Sequence, residues 1–177
     1  MSFNAKLKNV WKEIINKKKY LLLFTLLPLA ADFITKNIIK STMELYSAVP
    51  VIDGFFNIVY VLNPGAAFSF LHDMNENYRQ LFFVTVTIIA IFIILYIFAL
   101  EKSKASITGF ALILSGAIGN LIDRIYIGKV VDFLDFYYSL YHFPAFNVAD
   151  SCITIGVSLI IIDMLFLNKN KHTNNEQ

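Results

Sequence analysis

Leu81 to Leu100 runs without a single charged residue. About twenty apolar residues are enough for a helix to cross the hydrocarbon core of a bilayer. Inside that core every backbone polar group must be satisfied within the protein, so only helices or closed barrels can span it. One such segment therefore removes most soluble folds from consideration. Composition agrees: hydrophobic residues make up 57% of the chain, charged residues only 16%, and mean hydropathy is +0.62. Soluble domains carry nearer a quarter charged residues.

Three further segments have the same character. Tyr20 to Ile39 is apolar through Ala31 and is then interrupted by Asp32 and Lys36. Ile107 to Ile125 ends in Asn120, Asp123 and Arg124, and Val148 to Leu167 opens with Asp150 and carries Asp163 near its far end. Ser115 and Gly119 form a small-xxx-small pair of the kind that lets a neighbouring helix come close. The expected fold is a membrane all-α bundle of four transmembrane helices, in one domain over residues 20–168. A basic segment, 1–19, precedes it and a polar cytoplasmic tail, 169–177, follows. In residues 6–19, Leu7, Val10, Trp11, Ile14 and Ile15 share one helical face with lysines opposite, a pattern suited either to the membrane interface or to a solvated topogenic head. The first span is read as retained rather than cleaved, because a polar-faced helix continues behind it.

Lysines set the orientation. They crowd before the first span, occur as Lys102 and Lys104 between the second and third, and as Lys169 and Lys171 after the fourth. The positive-inside rule places both termini and the Lys102 loop in the cytoplasm. Asp32, Lys36, Asn120, Asp123, Arg124, Asn147 and Asp150 then all fall toward the outer leaflet. Ionisable groups in lipid are costly and mark functional sites. The plainer alternative is a set of ion pairs that only bind helices together. Asp32 and Lys36, four residues apart, can pair on one helix face.

The outer loops add turn signals and aromatic rings. Asp53-Gly54 between β-prone runs predicts a hairpin. Asn63-Pro64-Gly65-Ala66-Ala67-Phe68-Ser69 is a turn of small residues. The rings from Phe133 to Phe146 suit the headgroup layer.

Neither HExxH nor GxSxG occurs. His142 with Cys152, and Ser69 with Lys36, are weak hydrolase hints, and Cys152 reads as packing. Carboxylates fit better. Asp132 and Asp150 flank a loop that leaves and re-enters the membrane on one face, so it can bring them together. Two adjacent carboxyls share a proton, leaving one to activate water and the other to protonate a leaving amine. Asp150 falls in the first turn of the fourth span, where the helix dipole favours an anion, and Asn147 is a good N-cap. On spacing alone, Asp123 or Asp135 could replace Asp132.

Taken in order, Asp32 with Lys36, Asn63 to Ser69, Gly119-Asn120-Leu121-Ile122-Asp123-Arg124, Val131-Asp132-Phe133 and Phe146-Asn147-Val148-Ala149-Asp150-Ser151 resemble bacterial lipoprotein signal peptidase, signal peptidase II. The resemblance runs from about Tyr20 to Leu167. It implies four transmembrane helices with a small extracytoplasmic β-cradle and aromatic loop. It also implies an aspartic endopeptidase of the inner membrane, acting at the outer face without metal or other cofactor. The catalytic pair maps onto Asp132 and Asp150. Supporting and substrate-binding positions map onto Asp32, Lys36, Asn63, Gly65, Asn120, Asp123, Arg124, Asn147 and Ala149. The implied partners are membrane lipids and a diacylglyceryl-modified prolipoprotein, cut before its lipidated cysteine; nucleic acid is not expected. Rival readings are a small ion transporter and a non-enzymatic lipoprotein-binding protein.

Overall fold

The computed structural model describes residues 3–65 and 75–167. Ala66, Ala67, Phe68 and Ser69 of the turn motif, and the tail 169–177, lie outside the described residues. Among the described residues, four helical segments are long and apolar enough to cross a membrane: Lys18–Thr42, Glu76–Leu100, Lys104–Ile127 and Val148–Phe166. The fold is thus a bundle of four membrane-spanning helices with a small antiparallel sheet at one end.

Helix α1 (Phe3–Asn16) precedes the first span, which is built from α2 (Lys18–Leu21), a π-helical turn (Leu22–Leu26) and α3 (Leu27–Thr42). Pro28 has no N–H to give the preceding turn, which accounts for the widened ladder there. The spans α4 (Glu76–Leu100) and α5 (Lys104–Ile127) follow, and α6 (Val148–Ile162) opens the fourth, which closes in a second π-helical turn (Asp163–Leu167).

Small residues put α5 at the centre. Its buried positions include Ser106, Gly109, Ala111, Ser115, Gly116, Ala117 and Gly119, and it packs on α3, α4 and α6. A Cβ on Gly109 would lie 2.6 Å from the Gly156 carbonyl oxygen, and one on Gly156 would lie 2.5 Å from that of Gly109. The close α5–α6 crossing therefore runs over Gly109, Gly116 and Gly156. Gly119, of the Ser115/Gly119 pair marked in the sequence, gives a close approach of its own, to the Asp32 carboxylate of α3 and the Ala149 side chain at the start of α6. By contrast, α4 buries little beyond Phe98 and Ala99, and Ile89 and Phe92 point outward where lipid would lie.

The expected hairpin forms. Strands β1 (Ala48–Ile52) and β2 (Phe56–Asn63) turn through Asp53-Gly54, with Gly54 at φ +78°. The stretch after α5, which showed only as an aromatic loop in the sequence, is largely strand. β3 (Val130–Tyr138) adds antiparallel to β2 and is followed by the short β4 (Tyr141–His142), giving the order β1-β2-β3-β4. Ile39 of α3 packs with Val131 and Phe133 of β3, seating the sheet on the bundle end.

Candidate active site

The polar residues gather where the sheet meets the bundle. α3, α5 and α6 are tied there through Lys36. Its ammonium lies 2.8 Å from Asp32 and 2.9 Å from Asp123, and donates to Asn120 Oδ1 at 3.1 Å. All four residues are buried. An ammonium so placed needs such partners, because an unpaired charge is not tolerated away from water. Each carboxylate also takes a backbone donor: Asp32 accepts from the Ala149 N–H at 2.9 Å, and Asp123 from the Val131 N–H at 3.1 Å. One lysine thus sets the start of α6 and the start of β3 against α5.

Asn147 stands between the two aspartates marked in the sequence. It caps α6 through a reciprocal capping box with Asp150: its Oδ1 accepts from the Asp150 N–H at 2.9 Å, while its own N–H donates to Asp150 Oδ2 at 3.2 Å. Its fully buried side-chain amide donates to Asp132 Oδ1 at 2.7 Å. One asparagine therefore holds both carboxyl groups. Asn63 donates to Asp132 Oδ2 and Asn120 donates to Asp150 Oδ1, at 2.9 and 2.8 Å. Asn63 comes from β2, which lies beside β3 in a register pairing Val61 with Asp132.

Asp132 is 2% exposed. Burial pushes its carboxyl up to about 7; the hydrogen bonds from Asn63 and Asn147 pull it down, and the charge of Asp150 pushes it further up. Asp150 is less buried and lines a cavity of about 580 Å³ together with Asn63, Phe143, Phe146, Thr154 and Ile155. Arg124 lies within electrostatic reach of Asp123, Asp132 and Asp150, with its guanidinium over the Phe83 ring.

The two alternative carboxylates are occupied elsewhere. Asp123 belongs to the Lys36 cluster. Asp135 accepts from Asn57 at 2.9 Å and contacts His142 Nδ1 at 2.9 Å. It stands three positions after Asp132, an odd offset, so along a strand the two side chains turn to opposite faces. His142 is thereby engaged on the sheet, while Cys152 is buried in α6. Lys36 has its three partners in the cluster, and Ser69, its other proposed mate, lies outside the described residues. Gly65 has φ +88°, donates to Asn63 Oδ1 at 2.8 Å, and leaves no room for a Cβ beside Phe83.

Sequence reasoning missed the contributions of α4. Gln80 donates to the Arg124 carbonyl at 2.8 Å, and Phe83 packs on both Arg124 and Gly65. Neither carries a signal in the sequence: a glutamine and a phenylalanine at the mouth of a span look like ordinary interface residues. Among the described residues no three His, Cys, Asp or Glu side chains converge as a metal-holding group. Asp163 is buried at the far end of the bundle with Ser106, apart from the cluster.

The description "Signal peptidase (SPase) II" matches residues 24–166. The chain belongs to the signal peptidase II family. Membership makes it a membrane aspartic endopeptidase. It is 48% identical over 161 residues to the lipoprotein signal peptidase of Syntrophus aciditrophicus, spanning 87% of this chain and 99% of that protein. It is 48% identical over 145 residues to that of Geobacter sulfurreducens, spanning 81% and 89%. A solved bacterial membrane enzyme, determined by the in meso method at 1.9 Å resolution, superposes with a TM-score of 0.72 at 36% identity, covering 82% of this chain and 92% of that one. Within this signal peptidase II fold, the cavity lined by Asp150 is also bordered by Asn63, which donates to Asp132.

Proposed function

We propose that this chain removes the signal peptide from diacylglyceryl-modified prolipoproteins, cutting before the lipidated cysteine, with Asp132 and Asp150 as the catalytic pair. The carrying observation is that Asn147 hydrogen-bonds both carboxyl groups, whereas the aspartates that share Lys36, Asp32 and Asp123, are neutralised by its ammonium. With Asp132 raised to about 7, its carboxyl keeps a proton up to about neutral pH. The ionised carboxylate takes a proton from water as its oxygen attacks the scissile carbonyl carbon; the protonated one gives its proton to the leaving amine nitrogen as the C–N bond breaks. Asn63, Asn120 and Asn147 orient the two carboxyls, and the Lys36 cluster holds the strand and helix that carry them.

The position of the pair supports the substrate class that the relatives' name suggests. Asp150 opens onto a cavity bordered by Phe143, Phe146 and Ile155, at the level where α6 begins. A signal helix and two acyl chains both reside in the bilayer, so they approach laterally and supply binding energy remote from the bond being cut. The lysine distribution supports an inner-membrane protein with cytoplasmic termini and the pair at the outer face.

The test is turnover of a diacylglyceryl-modified precursor by purified variants. Asp132→Asn and Asp150→Asn keep volume and hydrogen bonding but cannot exchange the proton, so each should lose at least about 10²–10⁴ in rate. The double variant should be little worse than either, because the two act as a unit. Asp135→Asn should retain most activity. Substantial turnover by Asp150→Asn, or a dead Asp135→Asn beside an active Asp132→Asn, would mean the wrong carboxylates have been assigned.

A further inference from the structure

The helix before the first span presents two apolar stripes, and the bundle covers only one. Val10 and Ile14 are half-buried, Val10 in a groove with Tyr96 and Leu100 of α4 that Leu7 also borders, Ile14 against the Phe98–Ile107 core. On the adjoining face Leu7, Trp11 and Ile15, spaced four apart, are 53%, 65% and 49% exposed. Exposed Lys8 and Lys12 fall on the next face round the helix, along the edge of that stripe.

The position of α1 is fixed by Lys17. Its ammonium donates to the carbonyls of Phe98, Ala99 and Glu101 at 2.9, 2.6 and 2.7 Å, satisfying the open C-terminus of α4. That point is one end of the bundle. The aspartate pair is at the other, about 36 Å away along the 24 residues of α5. So α1 is held where α4 leaves the bilayer, and the outward-facing Ile93, Ile97 and Leu100 of α4 lead to it.

We propose that α1 lies in the leaflet opposite the aspartate pair and docks on anionic phospholipids, with Leu7, Trp11 and Ile15 among the acyl chains and Lys8 and Lys12 on headgroup phosphates. Charge complementarity selects this occupant. Residues 3–19 hold six lysines and one acidic residue, Glu13, and Lys17 is already committed to carbonyls. A helix with an apolar stripe edged by lysines lies in the interface plane, and its affinity rises with negative surface charge. The inference stands apart from the peptidase reading, because nothing in it requires either aspartate to act.

Trp11 is the only tryptophan in the chain, so its emission reports this helix alone. The full-length protein is reconstituted in nanodiscs of phosphatidylcholine, with or without phosphatidylglycerol, using acyl chains brominated near the headgroup. Insertion about 5–10 Å into the headgroup–acyl boundary should quench Trp11 by about half or more in anionic discs. Quenching should be weaker in zwitterionic discs, and the difference should shrink at about 1 M salt, where the screening length is about 3 Å. Lys8→Gln/Lys12→Gln leaves the Val10/Ile14 packing and the Lys17 bonds intact, and should reduce the dependence on lipid charge; an unchanged dependence would overturn the placing of these two lysines on headgroup phosphates. Unquenched Trp11 in anionic discs would overturn docking. Equal quenching in both disc types would overturn the selectivity for anionic lipid. Neither readout involves cleavage, so the outcome is independent of the turnover assay.

Discussion

Lys36→Met removes the cation from the buried cluster that it forms with Asp32 and Asp123. The methionine fills similar volume, but Asp32 and Asp123 then face each other's charge with no ammonium 2.8–2.9 Å away. Breaking a buried pair by removing one partner costs about 3–5 kcal/mol, chiefly from the uncompensated charge left behind. At about 2–4 °C per kcal/mol for a chain of this size, the unfolding midpoint should fall by about 6–20 °C. Asp32→Asn is the informative comparison. It leaves Lys36 with Asp123 and can still accept from the Ala149 N–H, so its cost should be nearer the about 1–3 kcal/mol of a lost charged hydrogen bond. Lys36→Met combined with Asp32→Asn and Asp123→Asn should recover part of the loss, because the stranded charges are gone. Thermal unfolding of the purified variants in one detergent measures all three. If Lys36→Met melts within about 2 °C of the parent, or is no worse than Asp32→Asn, the lysine is not the tie between these helices.

Two other predictions concern protonation and placement. Burial raises Asp132 to about 7 in the folded protein, above its unfolded value of 3.8, so the folded state binds more protons in that window. Raising the pH from about 4 through about 7 should therefore remove stability, and turnover should fall as the pair loses its last proton above about 7; turnover still rising at pH 9 would refute the assignment. In a Cys152→Ser background, Asp53→Cys should be labelled by an impermeant maleimide from outside intact cells and Lys102→Cys only after permeabilisation; the reverse pattern would invert the topology.

The membrane class, the four spans and the concentration of polar residues near one end were legible in the sequence because each is a local property. A run of apolar residues, a lysine-rich loop or an i, i+4 charge pair needs no knowledge of what lies beside it. The turn at Asp53-Gly54 and the cap at Asn147 are local for the same reason: a few consecutive residues set the backbone geometry. The tertiary structure decided what depends on distant partners. Lys36 could be paired with Asp32 by spacing, but only packing gives it Asp123 and Asn120, both more than eighty residues away. Asp123, Asp132 and Asp135 were interchangeable candidates on spacing. They separate once β3 joins the sheet, because strand alternation and the bulged β2–β3 register turn Asp132 toward Asn147 and leave Asp135 with Asn57 and His142. The strand character of Val130–Tyr138 was hidden since it rests on pairing with β2 across the chain. Likewise the sequence marked Gly119 as a place of close approach, but only the closed bundle shows that it admits Asp32 of α3 while Gly109, Gly116 and Gly156 carry the tightest α5–α6 contacts. Gln80 and Phe83 could not be read from the sequence, since their only distinction is the residues they touch.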